Sequence, residues 1–318
     1  MKSSAKVLPV FLLLCAHLCS QENPQALLRK AIVLDTRGQF DAAINVGRLI
    51  TTSGQLTRVE LGRAYLALGF AYSQEGRFTD AQAAFEQSLR VLKAEPQAAS
   101  DYASALENYA GLYNEVGQLG VARVMWKKAL HLRQQIGDHA AIMESLANLT
   151  SLALAEKRWR EAKRYWRTAS DELRRAHDLV PGDIIVFHET EGRLESSTGH
   201  ASAAVTSYQH ALELCKQAYG EQHWITGWDQ MLLGKAYAQT GDMGKALQEM
   251  RDGLAILARS LGHENPKFFG AQIIYAQLLD RSGAHADAAE LREIAAQARR
   301  NFDANQRVAN TVTAAAFR

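Results

Sequence analysis

Cysteine is scarce in this sequence of 318 residues, and neither sign of charge is in large excess. Two of the three cysteines, Cys15 and Cys19, lie in a short apolar stretch at the start, so the rest of the chain keeps only Cys215. A single cysteine excludes an internal disulfide. We interpret Cys215 as a small apolar residue on a packed helix face rather than as a reactive thiol.

The charge is almost balanced, with 36 Lys and Arg against 34 Asp and Glu, a formal net of +2. The first 20 residues carry only Lys2 and Lys6, so the remainder is neutral. A neutral chain gives no electrostatic reason to expect nucleic acid or an anionic membrane as a general partner. The locally basic stretch 157–175 is interpreted as the solvated outer face of a helix, since Trp166 takes the packing position that Phe85 holds in another unit.

Long apolar runs are missing after the start of the chain. The first 20 residues combine a basic start with an apolar run over 7–18, which is too short to span a bilayer and is typical of an export signal peptide. Cleavage near Ser20 predicts a periplasmic or secreted protein. Lipidation at Cys15 or Cys19 is the less favourable alternative, because a leucine precedes each where a small residue is expected. No membrane span is predicted in the mature chain.

Motifs of catalysis are also missing. His188 and Glu189 begin the HExxH pattern of zinc proteases, but Gly192 stands where the second histidine is required. The glycines before Lys235 do not have the spacing of a phosphate-binding loop. The sequence therefore predicts a protein that is not an enzyme and that needs no cofactor.

The segment 62–92 shows most clearly what the sequence does contain. Apolar residues recur there at spacings of three and four on either side of a Gly-Arg-Phe turn at 76–78, which indicates two helices with one apolar face each. Small residues at Gly69, Ala81 and Ser88 stand where the two helices must approach closely. A short turn between two such helices makes an antiparallel helical hairpin.

The same turn recurs along the chain, at residues 38, 76, 117, 157, 199, 241 and 283. A nearly fixed period of about 40 residues is the signature of a solenoid. We therefore predict an all-α repeat array over 21–298, with a weak first repeat at 24–54 and clear repeats over 60–297. Residues 299–318 depart from the period and are predicted to form a C-terminal cap and tail, partly disordered.

The unit resembles the tetratricopeptide repeat, whose basic period is about 34 residues. The extra residues follow the second helix of a unit and recur as glycine-rich links, at 137–139, 220–223 and 262–266. This longer unit is similar to the repeat of kinesin light chains and their bacterial relatives. The resemblance implies a right-handed superhelix of about seven helical hairpins. It also implies a concave groove, lined by the first helix of each unit, that holds an extended peptide or a helix.

Two asparagines match the placement that kinesin light chain repeats use to bond a peptide backbone. Asn108 and Asn148 each stand just before an apolar packing residue of a predicted groove helix, and an amide both donates and accepts. The same register places five more residues in the groove: Glu107, Asn114, Ser151, Arg193 and Lys235. The alternative interpretation is that all seven are ordinary groove residues that face water and contact no ligand.

The first helix of the fifth unit is irregular, since His188, Glu191 and Glu195 stand where other units carry apolar residues. Separations of three and four put these side chains on one helix face, which leaves a metal site as one interpretation. A locally shifted helix, with these groups facing water or the groove, is the other.

The leading function predicted from the sequence is a non-catalytic scaffold that holds a peptide or protein segment in the concave groove. The first alternative is a metal-binding protein or enzyme that uses the His188 cluster. The second is a structural component of an envelope or secretion assembly.

Overall fold

A computed structural model describes the backbone of residues 23–316 and the side chains of residues 23–304. The predicted signal peptide, residues 1–20, lies outside the described residues, and so do residues 317–318. The described part is helical almost throughout and contains no strand.

Fourteen α-helices and one short 3-10 helix, Pro96–Ala98, make up the described part. The α-helices are, in order, α1 (Pro24–Thr36), α2 (Phe40–Thr52), α3 (Arg58–Gln74), α4 (Phe78–Lys93), α5 (Ala99–Glu115), α6 (Leu119–Ile136), α7 (His139–Ala155), α8 (Trp159–Arg175), α9 (Pro181–Ser197), α10 (Ala201–Tyr219), α11 (Trp224–Thr240), α12 (Met243–Leu261), α13 (Pro266–Ser282) and α14 (His285–Ala316). They pair in chain order into seven hairpins, which confirms the predicted all-α array.

Each hairpin turns on a residue with a left-handed backbone. Six of the seven turns use glycine, from Gly38 (φ 70°) to Gly283 (φ 90°), because a glycine has no Cβ to clash in this conformation. Lys157 (φ 59°) makes the fourth turn and is the one non-glycine residue of the described part with a positive φ. All seven turns lie where the sequence period places them.

Several inner helices begin at a polar side chain that accepts a backbone N–H. Thr57 and Glu60 form a capping box at the start of α3. Asp138 accepts the N–H of Ala141 at 3.0 Å at the start of α7, and Asn265 caps α13 in a similar way. Local sequence therefore sets where these helices begin.

The two helices of a hairpin pack closely at small residues. Gly69 of α3 lies against the ring of Phe85 in α4, so that a Cβ at this glycine would stand 2.7 Å from the ring. The hydroxyl of Ser88 donates to the carbonyl of Gly62 at 2.8 Å, which satisfies a fully buried polar group. The small residues that the spacing singled out thus mark the close approach of α3 and α4.

Apolar side chains form a core that is spread along the array rather than gathered in one centre. One cluster joins Ala43 of the first hairpin, Tyr72 and Phe85 of the second, and Tyr109 of the third. Each hairpin therefore also packs against its neighbours along the chain, as expected for a solenoid.

The array closes on itself, because its last two hairpins reach back to its first three. At the start of α13, Asn265 Nδ2 donates to the carbonyl of Gln74, at the end of α3, across 2.7 Å. Lys267 Nζ lies 2.7 Å from Oε1 of Glu115, at the end of α5. These polar contacts join residues that are far apart in the sequence.

Aromatic rings complete this closure. Trp224, the first residue of α11, packs edge-on against Phe40 with the ring centroids 6.3 Å apart. Phe302 of α14 lies between Phe78 and Phe269, with centroids 6.0 and 5.9 Å away. Together with the two polar contacts we call these the closure contacts. They lie across the concave face of the array, and we call the partly covered space behind them the interior.

The last helix, α14, continues through the stretch that the sequence assigns to a cap and tail. Its side chains beyond residue 304 lie outside the described part. Among the helices that the structure describes, none has both the length and the apolar character needed to cross a membrane.

Replacing Gly69 with alanine tests the close approach within the second hairpin. The added methyl would stand 2.7 Å from a buried ring, so we expect Gly69→Ala to lose about 1–3 kcal/mol of unfolding free energy. In the control Gly111→Ala a Cβ meets nothing within 4 Å, and alanine should stabilise α5 by up to about 1 kcal/mol. Urea unfolding followed by circular dichroism measures both. Equal stability of Gly69→Ala and the parent would contradict the tight packing.

Candidate functional site

The interior holds three adjoining cavities, and the first helices of the hairpins supply most of their walls. The first cavity, about 610 Å³, lies between α1, α3 and α5 and is roofed by the link from α10 to α11. The second, about 510 Å³, is walled by α3, α5, α11 and α13, and the third, about 440 Å³, by α5, α7 and α9. Trp224 lines the first and second cavities, while Asn114 and Arg193 line the second and third.

Four of the predicted groove residues come together at the third cavity: Asn114, Asn148, Ser151 and Arg193. The guanidinium of Arg193, on α9, donates to the hydroxyl of Ser151, on α7, at 3.0 Å. Asn114 is exposed at the end of α5, where the second and third cavities meet. This part of the interior therefore offers both donors and acceptors.

The two asparagines that the sequence emphasised line different cavities, Asn108 the first and Asn148 the third. Each already uses its amide nitrogen within the protein. Asn108 Nδ2 donates to the Ser104 carbonyl at 2.9 Å, and Asn148 Nδ2 donates to Glu107 Oε1 at 2.6 Å. Among the described residues no donor reaches the amide oxygen of either, so these oxygens are the atoms left for a ligand.

Glu107 does not face the groove, and this prediction from the register is wrong. Its side chain is 5% exposed and lies 3.1 Å from the guanidinium of Arg133 on α6. Ser145 of α7 also donates to this carboxylate, at 2.8 Å. Burial raises the pKa of Glu107 to about 7, against the opposing effect of Arg133. Glu107 on α5 therefore links α6 and α7 within the packed core. It stands one position before Asn108, and this position on the helix faces the core rather than the groove.

Lys235 is exposed on α11 and is not among the residues that line the three cavities. The structure therefore does not bring it together with the other predicted groove residues.

The irregular side chains of α9 form a chain of hydrogen bonds. His188 Nδ1 lies 3.2 Å from Glu191 Oε2, and the hydroxyl of Ser207 donates to Glu191 at 3.2 Å and to Glu195 at 2.9 Å. The bond to His188 lowers the pKa of Glu191, while burial raises that of Glu195. In the part of the chain that the structure describes, no group of three or more His, Cys, Asp or Glu side chains is arranged to hold a metal ion.

Cys215 is fully buried and donates its S–H to Asp229 Oδ2 at 2.9 Å. Burial raises the pKa of this thiol, and the nearby Asp229 raises it further. A thiol held protonated is a poor nucleophile, which agrees with the interpretation of Cys215 as a packing residue.

Asp35, on α1, is a residue of the site that the sequence did not single out. It is 7% exposed, lines the first cavity, and its carboxylate makes no hydrogen bond or ion pair with any described residue. Burial alone raises the pKa of Asp35 to about 8. Its helical spacing from Leu28 and Ala31, which share the buried face of α1, is the sequence signal that points to it.

His223 and Trp224 form the roof of the first cavity. His223 caps α11, with Nδ1 accepting the N–H of Ile225 at 3.3 Å, and its ring stacks on Tyr219 with the centroids 5.1 Å apart. Burial lowers the pKa of His223, and the backbone carbonyl of Thr36 partly offsets this. The roof is therefore neutral near neutral pH.

Two segments of the chain match protein families described as tetratricopeptide repeat, residues 62–91 and residues 192–225. The first is the second hairpin, and the other covers most of the fifth hairpin with its following link. No significant match is found among curated proteins.

Solved structures of Rap proteins have a similar fold. RapI in its apo form is 13% identical with a TM-score of 0.61, covering 88% of this chain and 98% of that one. A Rap protein complexed with competence and sporulation factor is 13% identical with a TM-score of 0.63, covering 88% and 77%. The Rap conjugation gene regulator of the plasmid pLS20, in complex with a peptide, is 14% identical with a TM-score of 0.67, covering 87% and 73%. At these identities the likeness shows the fold alone.

Substitution of Asp35 tests the burial of its carboxyl. A carboxyl whose pKa rises from 3.8 to about 8 on folding binds a proton more tightly in the folded state, so stability falls as the pH rises through this window. We expect Asp35→Asn to remove this fall and to gain on the parent by up to about 1.4 kcal/mol per pH unit. Urea unfolding at several pH values between about 4 and 8 measures the difference.

The control is Asp41→Asn, which removes the same charge from an exposed position on α2. Its stability should follow that of the parent across the same pH range. A constant difference between Asp35→Asn and the parent at every pH would mean that the carboxyl is solvated in the folded protein.

Proposed function

We propose that this tetratricopeptide repeat protein is a non-catalytic scaffold that binds an extended peptide or protein segment in its interior. The observation that carries the proposal is the row of three adjoining cavities along the inner helices. Solenoids of this kind present a continuous inner surface assembled from successive repeats. A ligand lying along that surface would contact several hairpins at once.

The polar groups of the interior suit a peptide backbone. Asn108 and Asn148 retain amide oxygens without a protein donor, and these accept backbone N–H groups. Arg193 contributes a guanidinium, which donates to backbone carbonyls or to a terminal carboxylate. Apolar surface between these groups, from Phe70, Trp224 and Ile274, accepts side chains. Backbone hydrogen bonds give affinity in this mode of recognition, and the side-chain pockets give specificity.

Proteins with a similar fold support the same reading. Two of the solved Rap structures are complexes, one with competence and sporulation factor and one with a peptide. These two ligands are known from the structures of the Rap proteins themselves. For this chain they support only the class of ligand, a peptide or a protein segment held by the array.

The closure contacts limit how a ligand enters. The ion pair of Lys267 and Glu115 is partly exposed, and such pairs contribute at most about 1 kcal/mol. We expect the contacts across the concave face to favour a short peptide or a free chain terminus over an internal loop of a folded protein.

Binding without reaction is the role that the interior groups support. Neither matching family is a catalytic one. Among the described residues the one buried thiol is that of Cys215, which is held protonated against Asp229 and lines none of the three cavities. The α9 cluster serves to bond α9 to α10 through Ser207.

We further propose that residues 1–20 direct export and that the mature protein acts in the periplasm or outside the cell. The basic start and the short apolar run support this. Cell fractionation followed by N-terminal sequencing tests it. We expect an exported chain that begins near Gln21, and an intact Met1 on a chain that stays in the cytoplasm would contradict it.

Filling the interior tests the binding site without disturbing the packing. Gly111 lines the third cavity and Gly270 the second, and a Cβ at either one meets nothing within 4 Å. Peptides are first selected from a random display library on the parent protein. We expect Gly111→Trp and Gly270→Trp to weaken these peptides by at least about tenfold, because the indole occupies the space that the ligand needs.

The matched control is Gly120→Trp on α6, where a Cβ also meets nothing within 4 Å and the residue lines none of the three cavities. Isothermal titration calorimetry compares the variants. Peptides that bind both interior variants as tightly as the parent would locate the binding surface elsewhere. Asn148→Ala is a less clean test, because it also leaves the buried Glu107 without a donor.

A further inference from the structure

The first cavity differs from the other two in having an unpaired acid in its wall. Asp35 is 7% exposed, and in the described residues neither a donor nor a cation reaches its carboxylate. Buried polar groups without a partner are rare in folded proteins, and each one calls for a physical explanation. The cavity of about 610 Å³ leaves room for a ligand group to reach this carboxylate.

The other charged groups of this cavity cancel each other. Arg63 Nε lies 2.8 Å from Asp101 Oδ1, so this guanidinium is already paired. His223 in the roof is kept neutral by burial. The cavity therefore has one negative charge to compensate when Asp35 ionises, and an anionic ligand would meet two carboxylates and no unpaired cation.

The rest of the lining is mainly apolar. Ile32, Leu66 and Phe70 form the walls on α1 and α3, and Trp224 and Ile225 face them from the roof. Such surface gains free energy by excluding water from a ligand of similar character. A suitable ligand therefore combines an apolar body with a polar group that reaches Asp35.

We propose that the first cavity binds an alkylammonium or guanidinium group attached to an apolar body, with Asp35 as the counter-ion. The inference rests on the proposed function, because the cation would be a basic side chain or the free amino terminus of the bound peptide. The apolar part packs between Phe70 and Trp224. Folding has already removed most water from Asp35, so a cation that reaches it forms its ion pair in a medium of lower dielectric constant than water.

The pairing is linked to pH. Burial raises the pKa of Asp35 to about 8, so a cation that binds below this pH displaces a proton, and its affinity increases with pH until Asp35 is ionised. The other titratable groups facing the cavity are Arg63, Asp101, Tyr219 and His223. Arg63 and Asp101 pair with each other, the contact with Asp101 raises the pKa of Arg63, and burial raises the pKa of Tyr219 and lowers that of His223. Arg63, Tyr219 and His223 therefore keep their charge states between neutral pH and pH 8.

Calorimetry of the full chain with three small ligands tests the inference. The ligands are 4-phenylbutylamine, neutral 4-phenylbutanol and anionic 4-phenylbutyrate. At pH 8 we expect the amine to bind at least about tenfold more tightly than the alcohol, and the carboxylate to bind more weakly than either. Equal binding of the amine and the alcohol would overturn the proposal.

Two variants assign the preference to Asp35. We expect Asp35→Asn to bind the amine and the alcohol equally, and Asp41→Asn, on exposed surface, to keep the parent's preference. Circular dichroism confirms that each is folded. An amine preference that survives in folded Asp35→Asn would overturn the assignment.

The unsubstituted protein gives an independent readout. Amine binding at pH 7 should release a proton, so the measured heat should differ between phosphate and Tris buffers, whose ionisation enthalpies differ. An amine that binds with the same heat in both buffers would contradict displacement of a proton from Asp35.

Two blocked peptides distinguish the sources of the cation. Acetyl-Phe-Lys-amide carries a basic side chain and no free amino terminus, whereas Phe-Leu-amide carries the free amino terminus alone. Tighter binding of either one than of neutral acetyl-Phe-Leu-amide supports the proposal and identifies the source. If neither binds more tightly, while peptides selected on the parent remain sensitive to Gly111→Trp, this inference fails and the proposed function stands.

Discussion

Contact between the two ends of the array is the constraint on which the interior depends. Trp224 packs against Phe40, and Asn265 donates to the carbonyl of Gln74. A single hydrogen bond of this kind contributes only about 1 kcal/mol. The curvature of a solenoid comes from the small rotation between successive repeats, and here the last two hairpins meet the first three. A small change in the rotation at any one hairpin interface would therefore displace the residues that make the closure contacts.

The first cavity brings together residues from distant parts of the chain. Asp35 lies near the end of α1 on its buried face, and His223 and Trp224 line the same cavity from the start of α11. Burial raises the pKa of Asp35 to about 8. In the binding mode proposed above, the ligand cation would contact both parts of the chain in this one cavity.

Much of the fold was predictable, because the features that specify it are local. The seven turns and the close approach at Gly69 follow from residues within one hairpin, and even Lys157 was placed at its turn by period alone. The site was predicted less well. Asn108 and Asn148 do line cavities, but Glu107, one position before Asn108, points into the contact with Arg133. Successive side chains on a helix point about 100° apart, so a residue one position before a groove residue can face the core instead.

The sequence by itself determined the hairpins, since helix hydrogen bonds, caps and turns join residues only a few positions apart. It also determined which faces pack, through spacings of three and four. Only the tertiary structure decided that the first and last hairpins meet, through contacts such as that between Asn265 and Gln74. It likewise decided that Asp35 is buried and Glu107 is paired, because burial depends on atoms supplied from elsewhere in the chain. No periodicity within a repeat encodes such contacts, which arise from the summed geometry of seven repeats.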